Sequence, residues 1–195
     1  MRKDISTVIV VGLLLVAMVF AAGCTSSDNT PTPSVPSATR DPKFVPKNIS
    51  GYRTYSDRSV GISIQHPSSW QAKNGSGYEI VSFNVSGSPS MSFTIYTQDF
   101  SGTSTTLNDF SQNALPTNLT NFKLLNSTNT TLSGYPAKKH TFTFMTFDSA
   151  TAQGMLQLTL VNRTGYTLLY VATQDVYPDY LGIAQNMTQS FNVVK

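Results

Sequence analysis

The sequence predicts an α+β domain, an antiparallel β-sheet flanked by helices, on three observations. Period-two alternation of apolar and polar residues dominates the chain beyond residue 60. Helical spacing interrupts that alternation twice, once mid-chain and once at the C-terminus. Turn-forming residues punctuate the rest at short intervals, as antiparallel neighbours require.

Ile62 and Ile64 alternate with Ser63 and Gln65 until Pro67 closes the first strand. Tyr78 to Val85 and Met91 to Thr97 predict a hairpin across the turn-rich SGSPS. Leu107, Phe110 and Ala114 recur at i, i+3 and i+7, Thr106 and Asp109 form a T-x-x-D capping pair, and Pro116 stops this short helix. Phe122 to Leu125 and Ala137 to Phe147 predict further strands, Phe142 and Phe144 sharing one face. Met155 to Val161 and Tyr166 to Ala172 flank Asn162-Arg163-Thr164-Gly165, a hairpin turn by composition. Pro178 suits the first turn of a closing helix along which Leu181, Ala184, Met187 and Phe191 recur. The domain therefore spans 48–195, long enough to bury a core without covalent staples.

The residues ahead of it predict export. Arg2 and Lys3 precede an apolar run from Val8 to Ala22, which ends in Ala21-Ala22-Gly23-Cys24 and turns polar at Thr25. A charged, an apolar and a small-residue region in that order make a secretory signal over 1–23. A cysteine directly after small residues resembles the lipobox of prokaryotic lipoproteins, which implies lipid attachment at Cys24; the usual Leu three places earlier is Ala21 here. The alternative is an uncleaved anchor, since Ile5 to Cys24 would form about 30 Å of helix, enough to cross a hydrocarbon core. Either way the domain is held at the outer face of the membrane. Residues 24–47 carry Pro31, Pro33, Pro36, Pro42 and Pro46 and almost nothing apolar, so they read as a solvated linker with a reach of about 70 Å.

Composition narrows the function classes. Hydrophobic residues make up 39% and charged residues only 12%, with Glu79 the one glutamate, so hydroxyls and amides supply most of the polar surface. That balance fits an exported protein. A net charge of +3 is scattered, its longest basic run being Lys138-Lys139, so no nucleic-acid partner is expected. The lone Cys24 excludes an intrachain disulfide and a multi-cysteine zinc site. Asn-x-Ser/Thr occurs at Asn48, Asn74, Asn84, Asn118, Asn126, Asn129, Asn162 and Asn186. Asn126, Asn129 and Asn162 are expected in turns and favoured as glycan acceptors, with Asn118, Asn74 and Asn48 behind them; Asn84 and Asn186 fall in a strand and a helix. Many sequons behind a lipobox-like signal point to an archaeal cell surface.

Two stretches carry a family resemblance. YRTYSDRSVGISIQHPSSW, Tyr52 to Trp70, resembles the opening of PsbP-like domains, and LSGYPAKKHTFTF, Leu132 to Phe144, resembles their Gly-x-x-Ala turn before a long strand. A C-terminal helix ending near Ser190-Phe191 also fits, while His66 stands where the family commonly has Tyr or Phe. The resemblance implies the PsbP/Mog1 type of α/β/α sandwich. Its plant members serve photosystem II and Mog1 proteins bind a Ran-type GTPase; neither role transfers to this chain, and fold analogy stops at architecture.

No constellation of chemistry stands out, and no catalytic residue, metal site or cofactor is expected. His66 and His140 share parity with Ile62 and Ile64, and with Phe142 and Phe144, so both imidazoles are expected at the core-facing side. A hydrolase would need Ser or Asp beside one of them, and no G-x-S-x-G elbow exists. Asp175 and Asp179 are four apart near the last helix, where acids oppose the helix dipole; Asp99 and Asp148 suit strand ends. Gly75, Gly77 and Gly87 punctuate turns. Trp70, Tyr166, Tyr170, Tyr177 and Tyr180 are expected as packing rather than a sugar-stacking platform. The leading expectation is a non-enzymatic, membrane-anchored domain acting as an accessory or docking subunit of an envelope protein or complex. The alternative is a lipoprotein that binds a small ligand or glycan in a concave aromatic pocket.

Overall fold

The computed structural model describes residues 51–86 and 90–194. The leader, Cys24, the linker, Asn48 and Gly87 lie outside the described residues. Among the described residues, ten strands form two antiparallel sheets. In the smaller, β1 (Tyr52–Asp57) and β10 (Asn192–Val193) flank β2 (Ile62–Pro67). The larger holds β3 (Trp70–Asn74), β4 (Glu79–Val85), β5 (Met91–Asp99), β6 (Lys123–Leu132), β7 (Tyr135–Met145), β8 (Thr151–Val161) and β9 (Thr164–Thr173), in the order β3-β4-β5-β9-β8-β7-β6. Helix α1 (Leu107–Asn113) lies between β5 and β6 in the chain, and α2 (Tyr177–Ser190) follows β9.

The seven-stranded sheet buries both faces, so helices on opposite sides of an antiparallel sheet are what the structure shows. Against one face, Ile62 and Ile64 from β2 and Tyr180, Ala184 and Met187 from α2 pack on Phe83, Phe93, Ile95 and Tyr170. Aromatic contacts knit this layer: Trp70 meets Tyr180 edge-on at 6.0 Å between centroids, and Tyr170 stacks on Tyr177 at 5.0 Å. Against the other face, Phe110 of α1 and its C-cap Ala114 pack on Phe142, Leu156 and Leu169. Phe110 and Phe142 come close because the sheet offers glycines beneath them. A Cβ at Gly154 would stand 2.4 Å from the Phe142 ring, and one at Gly165 2.7 Å from that of Phe110.

Local signals hold where one face is buried. Thr106 caps α1 reciprocally: its Oγ1 accepts from Asp109 N at 3.2 Å, and Asp109 Oδ2 accepts from Thr106 N at 3.1 Å. The β8–β9 hairpin turns on Asn162 and Arg163, at φ of 48° and 67°, the left-handed pair a tight two-residue turn requires. Elsewhere the sequence reading falls short. Strands β1 and β3 were not expected, because most of their residues are exposed and show no alternation. Strand β6 runs to Leu132 instead of stopping at Leu125, and β7 ends at Met145, leaving Phe147 70% exposed.

Candidate functional site

A cleft of about 770 Å³ opens where the two sheets part company, between β1–β2 and β3. Strand register makes it. Arg53 pairs with His66 and Tyr55 with Ile64, so Arg53 and Tyr55 share the inward side of their sheet with the core residues Ile62 and Ile64. The large sheet ends at the five-residue β3, so around Arg53 that side opens on a gap, while Ile62 and Ile64 meet the core. Arg53, Tyr55, His66 and Trp70 line it, together with Thr54, Ser68, Ser69, Lys73 and Ser86. No carboxylate is among the lining residues. Tyr55 Oη bridges to Asn74 Oδ1 at 3.5 Å.

His66 forms the cleft floor, 7% exposed, with its ring tilted against Phe83 at 4.7 Å between centroids. Its Nδ1 lies 2.9 Å from the Pro67 carbonyl. A carbonyl only accepts, so Nδ1 carries the proton and Nε2 of the neutral ring is an acceptor. Burial lowers the His66 pKa; the carbonyl bond opposes this and the charge of Arg53 adds to it. Trp70 contributes little open surface, being 3% exposed, so the aromatic wall of the cleft is mainly the half-buried Tyr55.

The second histidine has a serine beside it that sequence reasoning missed. Ser111 of α1 lies with its Oγ 2.7 Å from His140 Nε2. The two are 29 positions apart and no motif links them; only the packing of α1 on β7 brings them together. A serine–imidazole pair can generate a nucleophile, but here Ser111 is 2% and His140 1% exposed, and His140 Nδ1 has no hydrogen-bond partner. The bond therefore satisfies two buried polar groups and pins α1 to the sheet. Burial lowers the His140 pKa, with Lys138 adding to it.

The remaining candidates fall into structural places. Tyr166, Tyr170, Tyr177 and Tyr180 are all buried, and Tyr170 Oη donates to the Tyr177 carbonyl at 2.8 Å. Burial raises the Tyr170 pKa and pushes that of Tyr177 up to about 12. Asp99 accepts from Ser101 N at 2.8 Å and Asp148 accepts from the Thr146 hydroxyl, which hold both carboxyls below their usual range. Asp179 sits in the first turn of α2, while Asp175 is exposed just before an N-cap, Val176, that has no side-chain cap bond. Among the described residues no three acids, histidines or cysteines gather as a metal site. Asn126 and Asn129 are not in turns as expected but within β6; Asn162 and Asn118 are in turns and Asn74 ends β3. All five are exposed.

Solved structures agree with this architecture. Cyanobacterial PsbP (CyanoP) from Synechocystis superposes with a TM-score of 0.58 at 14% identity, over 77% of this chain and 96% of that one. The fold is of the PsbP type. LpqN, described as involved in cell envelope biogenesis of Mycobacterium tuberculosis, superposes with a TM-score of 0.57 at 12% identity, over 69% of this chain and 83% of that one. A Bacteroides thetaiotaomicron structure gives 0.54 at 10% identity, over 73% of this chain and 48% of that one. No family profile and no curated protein matches the sequence. At these identities the likeness concerns the fold.

Proposed function

We propose that the chain is an exported, membrane-anchored, non-enzymatic domain that docks on another protein of the cell envelope through its open sheet edge. The observation that carries this reading is β6. It is the last strand of the large sheet, ten residues long, and all but Thr130 and Leu132 are exposed, so neither of its faces is covered from Lys123 to Asn129. Leu124 and Leu125 stand 41% and 48% exposed at a bulge in the pairing with β7. A long open edge offers a row of backbone donors and acceptors on which an extended segment can add a strand. From Lys123 to Phe147 the chain carries Lys123, Lys138 and Lys139 and no acid, so the fitting partner strand is acidic. Like charge disfavours a second copy in that place.

The leader and Cys24 supply the address, and the envelope role printed for LpqN is in keeping with it. An archaeal surface, with glycans on exposed sequons such as Asn118 and Asn162, belongs to the same reading. The sealed Ser111–His140 pair favours a non-enzymatic role. Photo-crosslinking from Thr128 in cells tests the docking: one acidic envelope partner captured there supports it, and no capture beyond that from a surface position on α2 opposes it. A second reading, binding of a small solute, is favoured by the cleft beside β3.

A further inference from the structure

We propose that the cleft between β1–β2 and β3 is an oxyanion site, taking a small solute or headgroup through a phosphate group. The proposal rests on the second reading above and is independent of docking at β6. Arg53 is on the inward side of its strand, opposite His66, yet no Asp or Glu lines the cleft to neutralise it. Lys73 stands on the facing edge strand at a position alternate to Trp70, Ala72 and Asn74, so it adds a second cation at the rim rather than within the cleft, and Ser68, Ser69 and Ser86 are further lining residues with hydroxyls to donate. A guanidinium and hydroxyls lining a cleft, with an ammonium at its rim and no competing carboxylate, are the chemistry that holds a phosphate. The floor supports it: His66 has Nδ1 committed to Pro67 O, which directs Nε2 as the free ring atom, a further donor once protonated. A volume of about 770 Å³ exceeds what a bare anion fills, so the phosphate is carried on a larger body, for which the half-buried Tyr55 offers a ring.

The simpler role for Arg53 is a charge that keeps an edge strand from pairing, which needs no ligand. Titrating full-length protein in neutral detergent with inorganic phosphate, against chloride at matched ionic strength, separates the two. The site predicts a saturable shift of the His66 ring signals in the nuclear magnetic resonance spectrum that chloride does not produce. Arg53→Gln weakens it at least tenfold, Lys73→Gln about threefold, and Lys139→Gln, near the other end of the large sheet, leaves it unchanged. Vesicles identify the source: competition by anionic but not neutral phospholipid marks a headgroup, and no competition by either marks a free phosphate ester. An unmoved His66 signal, an equal response to chloride, or full binding by Arg53→Gln overturns the proposal. Arg53 and Lys73 are exposed and Lys139 is half-buried, and folding of the variants is checked by an unchanged thermal midpoint without phosphate.

Discussion

The two edges of the large sheet are built in opposite ways. At one, β3 is only five residues long, anchored by Trp70 beneath Tyr180, and lies beside a second sheet across a cleft. At the other, β6 is twice that length and held almost entirely by its ladder to β7. Short, covered edges resist strand addition and long bare ones invite it. The contrast teaches that one edge is short and flanked by a cleft while the other is long and bare, and the two proposals rest on that asymmetry.

Breaking the closed edge is expected to cost most. Trp70→Ala removes a side chain that is 3% exposed, with an expected loss of about 3–5 kcal/mol in denaturant unfolding. A loss under about 1 kcal/mol would mean that β3 is not anchored by its tryptophan. Next comes the support under the open edge. Ser111→Ala leaves buried His140 without its Nε2 partner and is expected to cost about 1–3 kcal/mol, read in the same melts. Adding a methyl at Gly154, under the Phe142 ring, should cost about the same through overpacking.

Acid is expected to act on both sides. Burial holds His66 and His140 below the ordinary value of 6.5, so the unfolded chain binds protons that the folded chain refuses. Stability therefore falls as pH drops below about 6.5 and levels off below the folded-state values. A stability profile flat between pH 7 and 5 would contradict this; in His66→Phe the His66 share of the slope should vanish. Smallest of all, Leu125→Ala on the open edge is expected to change stability by no more than about 0.5 kcal/mol, since the residue is 48% exposed.

Much of the fold was legible because most strands bury one face and keep the other polar. The alternation at Ile62 and Ile64, the capping pair Thr106 and Asp109 and the recurrence from Leu181 to Phe191 each report a local rule that tertiary packing respects. What the sequence concealed lies at the edges. NSTN in β6 is exposed on both faces, so nothing selects apolar residues at alternate positions, and its asparagines resemble a turn. Strand β3 carries WQAKN, a single buried residue ahead of four exposed ones. The cleft and the Ser111–His140 pair were hidden for another reason: each joins elements that only the chain's overall topology brings together. The parity of both histidines with core residues could be read in advance, but their partners could not.

The central claim is that β6 is the docking edge, and site-specific photo-crosslinking in living cells tests it most directly. A crosslinker at Thr128 is expected to capture one acidic envelope protein reproducibly, through an extended segment, while a crosslinker at exposed Asn186 on α2 captures none of it. Equal capture from both positions, or a glycan at Asn126 or Asn129 of the unsubstituted protein that covers the strand in the cell, would contradict it.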